Sequence, residues 1–204
     1  MMLMIELQTD KIVKLPPPRL RSEISFEEAL AKRRSIRSFR STKLNWEELG
    51  QLLWAAQGIT EKSEGLRTAP SAGALYPLEM YVILDEGVYQ YQPRDHQLLR
   101  KLESNVRNAL SRAALGQECV QRAPAVFAIA GVFERTARKY GERTARYVHL
   151  EAGHAAQNLL LQATALGLGA VPVGAFHDEQ VEKVLKLPNG EKALYLIPVG
   201  RSAH

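Results

Sequence analysis

The feature that most constrains the fold is a long apolar segment in the C-terminal third of the chain. A helix is predicted over residues 143–166, and from Tyr147 onward apolar residues surround nearly its whole circumference. No charged residue occurs from Ala155 to Phe176, but glutamine, asparagine, glycine and proline interrupt this stretch. These interruptions favour a buried helix followed by a buried strand over a membrane span. One domain of this size could bury the helix, and a dimer interface would do so more easily.

Other segments predict an α+β fold, in which helices pack on a sheet. Residues 80–84, 88–91, 125–132, 170–173 and 193–199 have the apolar composition of buried strands. Helices are predicted at residues 26–34, 46–57, 95–122 and 178–185. Ser25 and Asn45 are suitable N-cap residues for the first two helices, and Ser25 with Glu28 has the spacing of a capping box.

The first 24 residues are predicted to form an extended arm, followed by one domain over residues 25–204. Residues 12–15 could form a short strand, and Pro16-Pro17-Pro18 then imposes an extended polyproline path. Because such an arm makes few local contacts, we expect it to lie on another surface, such as a partner subunit.

A basic cluster follows the first predicted helix, in the stretch Lys32-Arg33-Arg34-Ser35-Ile36-Arg37. Arginine presents a planar fork of donors that matches phosphate oxygens, and serine adds a hydroxyl donor. If the chain leaves the helix in an extended form, residues 33, 35 and 37 converge on one side. Cations also favour helix C-termini, so a solvated basic helix end remains the alternative.

Composition and charge argue against several classes of function. The formal net charge is +5 over 204 residues, and residues 1–40 contribute +4 of it, from nine Lys/Arg and five Asp/Glu. No long basic face with interleaved aromatics occurs, so nucleic-acid binding is not expected.

One cysteine, Cys119, excludes an internal disulfide and favours a cytoplasmic location. His149 and His154 are five residues apart and are interpreted as packing residues, so no metal site is predicted.

Three further motifs could bind a ligand, but each one alone is also explained by ordinary local structure. The stretch Pro70-Ser71-Ala72-Gly73-Ala74-Leu75-Tyr76-Pro77 is a loop whose small residues would let a ligand approach the backbone. Val171-Pro172-Val173-Gly174-Ala175-Phe176 would leave N–H groups free at a sheet edge, and Arg201 follows the last predicted strand. Separately, these motifs are also typical of a tight loop, a strand-to-helix turn and a solvated terminal arginine.

Together, the four motifs resemble the FMN-binding set of the nitroreductase family in order and spacing. The resemblance covers about residues 25–201 and is closer to the branch of SagB-type dehydrogenases, which includes azoline oxidases. The stretches that resemble this branch are residues 67–79, residues 139–143 and residues 153–159. The resemblance implies a central, mostly antiparallel sheet flanked by helices, a long buried central helix, and an obligate homodimer with FMN at the subunit interface.

The resemblance also implies roles for individual residues. Arg33, Ser35, Arg37 and Arg201 would hold the phosphate, Ser71 and its neighbours would reach the flavin from the other subunit, and the turn at Val173-Gly174-Ala175 would place an N–H near flavin N5. The full set of expected FMN contacts is Arg33, Arg34, Ser35, Arg37, Pro70, Ser71, Ala72, Gly73, Leu75, Gln157, Pro172, Val173, Gly174, Ala175 and Arg201. Many family members have Ser and Asn after the Pro-Ser pair, where this chain has Ala72 and Ala74-Leu75.

The expected function is hydride transfer between flavin N5 and a small organic substrate or NAD(P)H. Two substrate classes stay open: nitroaromatics or quinones reduced with NAD(P)H, and azoline-like rings oxidised with transfer of electrons to oxygen. In azoline oxidases a Lys-Tyr pair is implicated in proton removal, and Lys139-Tyr140 occupies the corresponding place. Those enzymes carry a large extra N-terminal region, whereas only about 24 residues precede the domain here. A flavin-binding protein without turnover is the remaining alternative.

Overall fold

The computed structural model describes residues 12–203, which contain nine strands and seven α-helices. The helices are α1 (Phe26–Lys32), α2 (Trp46–Gln57), α3 (Arg107–Ala113), α4 (Glu118–Arg122), α5 (Phe133–Tyr140), α6 (Thr144–Ala165) and α7 (Asp178–Leu185). The strands are β1 (Ile12–Lys14), β2 (Ile59–Glu61), β3 (Leu66–Arg67), β4 (Leu78–Leu84), β5 (Gly87–Gln92), β6 (Gln97–Leu102), β7 (Ala125–Val132), β8 (Gly169–Ala170) and β9 (Glu191–Gly200).

Seven strands form one sheet in the order β1-β6-β5-β4-β7-β9-β8, and all of these pairings are antiparallel. The strands β2 and β3 form a separate hairpin. One face of the large sheet packs against α2 and α6, and the other packs against α3, α4 and α7. The predicted α+β fold, with a mostly antiparallel sheet between helices, is therefore confirmed.

Helix α2 shows how a local signal positions an element. The Asn45 side chain accepts from the Glu48 N–H at 2.8 Å, and the Glu48 carboxylate accepts from the Asn45 N–H at 2.9 Å, which completes a capping box. At α1, Ser25 accepts from the Glu28 N–H, but the Glu28 carboxylate pairs with Lys32, so only half of the predicted box forms.

The predicted helix over residues 95–122 is wrong in its first part. Residues 97–102 form β6, which pairs with β5 through a turn at residues 93–96 and also with β1. Helices α3 and α4 then occupy the rest of the segment, with a left-handed Gly116 between them. Strand β6 is held by its neighbours on both sides, a long-range effect that its short mixed sequence does not reveal.

The described part of the N-terminal arm packs on its own domain, and its contact with a partner subunit stays a prediction. Strand β1 extends the edge of the large sheet, and the Arg19 N–H donates to Gln51 of α2 at 2.8 Å. The Pro16 carbonyl contacts the His96 ring at 2.9 Å. The first 11 residues of the predicted arm, and His204, lie outside the described residues.

Helix α6 is as long as predicted, but it is not surrounded in the single chain. Its side toward the sheet is buried, whereas Leu150 is 52% exposed and His154 and Gln157 are also exposed. Among the described residues, no helix is long and apolar enough to cross a membrane.

Candidate active site

Arg33, Ser35 and Arg37 lie on an extended segment at the β8 edge of the large sheet. Ser35 forms a parallel bridge with Ala170, and the Ile36 N–H donates to the Ala170 carbonyl at 3.0 Å. Within residues 12–203, the side chains of these three residues make no hydrogen bond or ion pair. The segment thus presents two unpaired guanidinium groups and a hydroxyl, which suits a phosphate group.

The neighbouring cations are already engaged. The Arg34 guanidinium donates to the carbonyls of Ala31 and Arg33 at 3.0 and 2.7 Å, so it closes the C-terminal end of α1. Arg201 donates to the Glu48 carboxylate at 2.7 Å, and its Nη1 is buried with no partner among the described residues. Arg34 therefore acts as a helix cap in the single chain, whereas the Nη1 amine of Arg201 is left unpaired among the described residues.

The turn at Pro172-Val173-Gly174-Ala175 lies at the same edge of the sheet. Val173 pairs with Leu196 of β9, and Gly174 and Ala175 are exposed beyond it. The Ala175 carbonyl accepts from Gln117 at 2.9 Å, whereas the Gly174 N–H has no acceptor in the described part of the chain. This edge therefore also offers a free backbone donor.

The Pro-Ser loop, residues 70–77, has a strained backbone. Gly73, Ala74 and Tyr76 have φ values of 63°, 53° and 47°. A left-handed conformation is unfavourable for a residue with a Cβ atom, and clusters of such residues are typical of ligand-binding sites. The Tyr76 N–H donates to the Ser71 hydroxyl oxygen at 2.9 Å, which holds the loop in this shape.

Lys139 and Tyr140, at the end of α5, contact this loop at Gly73. A Cβ atom added to Gly73 would lie 2.8 Å from Lys139 Nζ and 2.8 Å from the Tyr140 hydroxyl. The Tyr140 ring packs edge-on against Tyr147, with the ring centroids 4.8 Å apart. Lys139 is exposed in the single chain, so its burial depends on what covers the loop. The structure thus brings together the Lys-Tyr pair and the Pro-Ser loop.

The basic segment and the Pro-Ser loop lie at opposite ends of the sheet. The loop leads into Leu78, which pairs with Gly131 at the far end of β7, whereas Ser35 lies beside Ala170, which pairs with Val199 opposite Ala125. Gly131 and Ala125 are six residues apart on β7, or about 20 Å along the strand. A single chain therefore presents two separate half-sites.

A buried polar cluster lies beneath the Pro-Ser loop, and our sequence analysis missed it. Its members are Gln57, Arg67, Ser71, Tyr76 and Glu151. Arg67 donates to the Gln57 carbonyl oxygen at 2.9 Å, and its guanidinium lies 4.6 Å from the centre of the Tyr76 ring. Three buried atoms of the cluster, Gln57 Nε2, Arg67 Nε and Glu151 Oε1, have no hydrogen-bond partner in residues 12–203.

Glu151 is the most buried acid of this cluster, with 2% of its surface exposed. Burial raises the pKa of its carboxyl group to about 7, although Ser71, the Arg67 charge and Gln57 oppose the shift. Burial also lowers the pKa of the Arg67 guanidinium. A sequence signal was present, because Glu151 is the one acidic residue from Tyr147 to the end of a long, largely apolar helix.

The remaining predicted residues fall into two groups. Pro70, Ala72 and Leu75 belong to the Pro-Ser loop half-site. Gln157 lies on the exposed side of α6, a helix that begins beside α5 and ends beside β8, so this side runs between the two half-sites. The described residues contain no group of three or more His, Cys, Asp or Glu side chains that could hold a metal ion.

Comparison with known proteins identifies the family and the fold. The model of the nitroreductase family matches residues 30–201. A candidate nitroreductase of Methanocaldococcus jannaschii is 49% identical over 185 residues, which is 88% of this chain and 92% of that protein. The crystal structure of a candidate nitroreductase from Ralstonia eutropha superposes with a TM-score of 0.87 at 30% identity, over 96% of this chain and 92% of that one.

A more distant structure shares the fold. NADPH:FMN oxidoreductase from Vibrio harveyi, solved in complex with NAD⁺, superposes with a TM-score of 0.66 at 21% identity, over 88% of this chain and 69% of that one. The family match covers most of this chain, and residues 30–201 include the basic segment, the Pro-Ser loop and the buried polar cluster beneath that loop. On these grounds the chain belongs to the nitroreductase family, a family of oxidoreductases.

Proposed function

We propose that this protein is an FMN-dependent oxidoreductase that transfers hydride between flavin N5 and a small organic substrate or NAD(P)H. The observation that carries the proposal is the set of Arg33, Ser35 and Arg37 at the β8 edge, whose side chains make no hydrogen bond or ion pair with the described residues. Unpaired cations this close together repel one another, so the arrangement gains free energy when an anion joins them. One phosphate-sized cluster, without a dinucleotide fingerprint in the sequence, favours FMN over FAD.

The residues present fit FMN on two counts. Arg33, Ser35 and Arg37 would hold the phosphate, and the free Gly174 N–H at the same edge is available for the ring system. FMN would supply the hydride chemistry, while the protein binds the ring, orients it and excludes water. The strained Pro-Ser loop, with its exposed Gly73, would provide the second wall of the site.

We further propose that two copies of the chain form each site. The two half-sites lie about 20 Å apart in one chain, so the loop over one flavin would come from a second copy. Leu150 on the exposed side of α6, and Phe26 and Leu30 on the neighbouring α1, are large exposed apolar side chains that a homodimer would cover. An obligate interface of this kind buries more than roughly 2,000 Å² in total.

A second candidate function is azoline-type dehydrogenation. It is supported by the contact of the Lys139 amine and the Tyr140 hydroxyl with Gly73. These two groups would then serve as an acid–base pair beside the loop that would face the substrate. In this function the pair would accept the proton that leaves the substrate carbon or nitrogen as the hydride departs.

A cytoplasmic location remains part of the proposal, because the single cysteine is a buried free thiol in α4.

The purified protein tests the proposal directly. We expect a yellow protein whose released chromophore is FMN rather than FAD, identified by absorption and chromatography. Sedimentation at micromolar concentration should show a dimer. A colourless protein that takes up no added FMN would refute the cofactor assignment, and a stable folded monomer would refute the shared site.

A further inference from the structure

The buried polar cluster beneath the Pro-Ser loop is not needed to hold a phosphate or to accept a hydride. Nevertheless, three of its buried polar atoms have no hydrogen-bond partner in the part of the chain that the structure describes. Such atoms are rare in folded proteins because each carries a desolvation cost. A role for the cluster has to explain why a buried acid is placed directly under the residue predicted to contact the flavin.

We propose that Glu151 is a positioning residue for flavin binding, and that its protonation decides whether the Ser71 hydroxyl donates inward to the Glu151 carboxylate or outward to the flavin. The inference rests on the proposed function, because it requires that Ser71 face the flavin. It concerns a residue that the family resemblance did not single out.

The hydrogen bonds of Ser71 limit what its hydroxyl can do. Its oxygen already accepts from the Tyr76 N–H at 2.9 Å, which leaves one acceptor position and a single O–H proton. An ionised Glu151 carboxylate can only accept, so it draws the Ser71 proton inward. A protonated Glu151 can donate to the Ser71 oxygen, which leaves the Ser71 proton free to point away from the cluster.

The surroundings of Glu151 put the protonation of its carboxyl group in the physiological pH range. The groups that face the Glu151 carboxyl are Arg67 from β3, Gln57 from α2 and Ser71 from the loop. The charges of Glu79 and Arg135 act in turn on the Arg67 guanidinium. Burial is the largest influence, and it raises the pKa of Glu151 to about 7. Protons exchanged here pass to and from bulk water, so no further reactant is required.

The test measures FMN affinity of the flavin-free protein by fluorescence quenching at about pH 6.5 and about pH 8.5. We expect the native protein to bind FMN about fivefold more weakly at the higher pH, the equivalent of one hydrogen bond of roughly 1 kcal/mol. The second ionisation of a phosphate group occurs near pH 6 and would act in the opposite direction. Riboflavin, which lacks the phosphate and therefore this opposing effect, should show a pH dependence of affinity at least as large as that of FMN.

Three variants separate the cluster from the rest of the protein. Glu151→Gln keeps a permanent donor and should bind FMN equally well at both pH values. Ser71→Ala should bind weakly at both. Glu134→Gln removes the same charge from an exposed position on α5 and should keep the native pH dependence of FMN affinity.

Each outcome decides between the alternatives. A native protein that binds FMN with no pH dependence overturns the inference and leaves the proposed function intact. If Glu151→Gln keeps the native pH dependence of FMN affinity, the inference is also overturned. If that variant does not fold, the native pH dependence in Ser71→Ala has the same meaning. Failure of the native protein to bind either flavin at any pH refutes the proposed function, and the inference with it.

Discussion

Neighbouring arginines in this chain differ in what they have left to bind. Arg34 is satisfied by the carbonyls at the end of α1, and Lys32 by Glu28, whereas Arg33 and Arg37 make no hydrogen bond or ion pair with the described residues. The sequence alone could not divide the cluster in this way, because the division depends on where the helix ends. The two unpaired arginines are therefore the ones expected to hold a phosphate.

We expect Arg37→Ala to weaken FMN binding roughly ten- to hundredfold, because it removes one charge-assisted bond of about 1.5–3 kcal/mol. Titration of the flavin-free variant with FMN measures the loss. Once saturated, the variant should be reduced at nearly the native rate, since the phosphate is remote from the reacting ring. Lys32→Ala removes a charge from an arrangement that is already paired and should bind FMN normally.

Lys139→Ala should affect turnover rather than FMN binding, the reverse of Arg37→Ala, if the Lys-Tyr pair transfers protons. FMN should stay bound, whereas oxidation of a substrate that has to lose a proton should slow by about 10²–10⁴. Reduction by NAD(P)H needs no base and should survive. Arg138→Ala, an exposed neighbour on α5, serves as the control. Unchanged substrate oxidation in Lys139→Ala would leave the azoline-type function without local support.

Glu151 should make stability depend on pH in a predictable direction. Its pKa is about 7 in the folded protein and near 4.5 in the unfolded chain, so its stabilising contribution is full below about pH 4.5 and lost by about pH 7. The difference of about 2.5 units corresponds to roughly 3 kcal/mol. Urea unfolding should show Glu151→Gln gaining stability relative to the native protein as the pH rises from 5 to 8, whereas Glu134→Gln should show no such trend.

At the scale of elements, predictions succeeded where the signal was local. The N-cap at Asn45, helix α7 and strand β7 follow from capping residues, periodicity and an apolar run. Strand β6 was missed because its pairing partners decide its structure. The same limit applied to the active site, where the arginines and the Pro-Ser loop stand out in the sequence. Glu151 meets Arg67 and Ser71 only through contacts across 80 or more residues.

The Pro-Ser loop depends on glycine at one position more than at any other. Gly73→Ala would strain a backbone with φ of 63° and would also force Lys139 and Tyr140 away, because its Cβ would lie 2.8 Å from both side chains. We expect FMN affinity and turnover to fall while the protein remains folded. Gly65→Ala is a matched control, since its φ is 69° but nothing lies within 4 Å of the added Cβ.

These two glycine variants separate strain from function. Both should lower the unfolding free energy by about 1 kcal/mol, because each puts a Cβ atom in the left-handed region. Only Gly73→Ala should alter FMN binding, as measured by titration under identical conditions. Equal effects of the two variants on FMN affinity would show that the loop does not form a wall of the site.

For the whole molecule, the separation of the half-sites has a consequence for mixed dimers. If each site takes its basic segment from one copy and its loop from the other, defects in different copies can complement each other. A dimer of an Arg33→Ala/Arg37→Ala chain with a Gly73→Ala chain would contain one site with both defects and one site with neither.

Differently tagged chains allow this mixed dimer to be isolated after co-expression. We expect it to bind about half the FMN of the native dimer with native affinity, and to retain about half its activity, whereas each parent variant alone binds weakly at both sites. The restored site would combine the intact Arg33 and Arg37 of one chain with the intact Gly73 of the other. If the site were formed within one chain, every site in the mixture would carry a defect and mixing would restore nothing. Full-affinity binding in the mixed dimer therefore requires that the flavin lie between two copies, with the basic segment of one copy facing the Pro-Ser loop of the other.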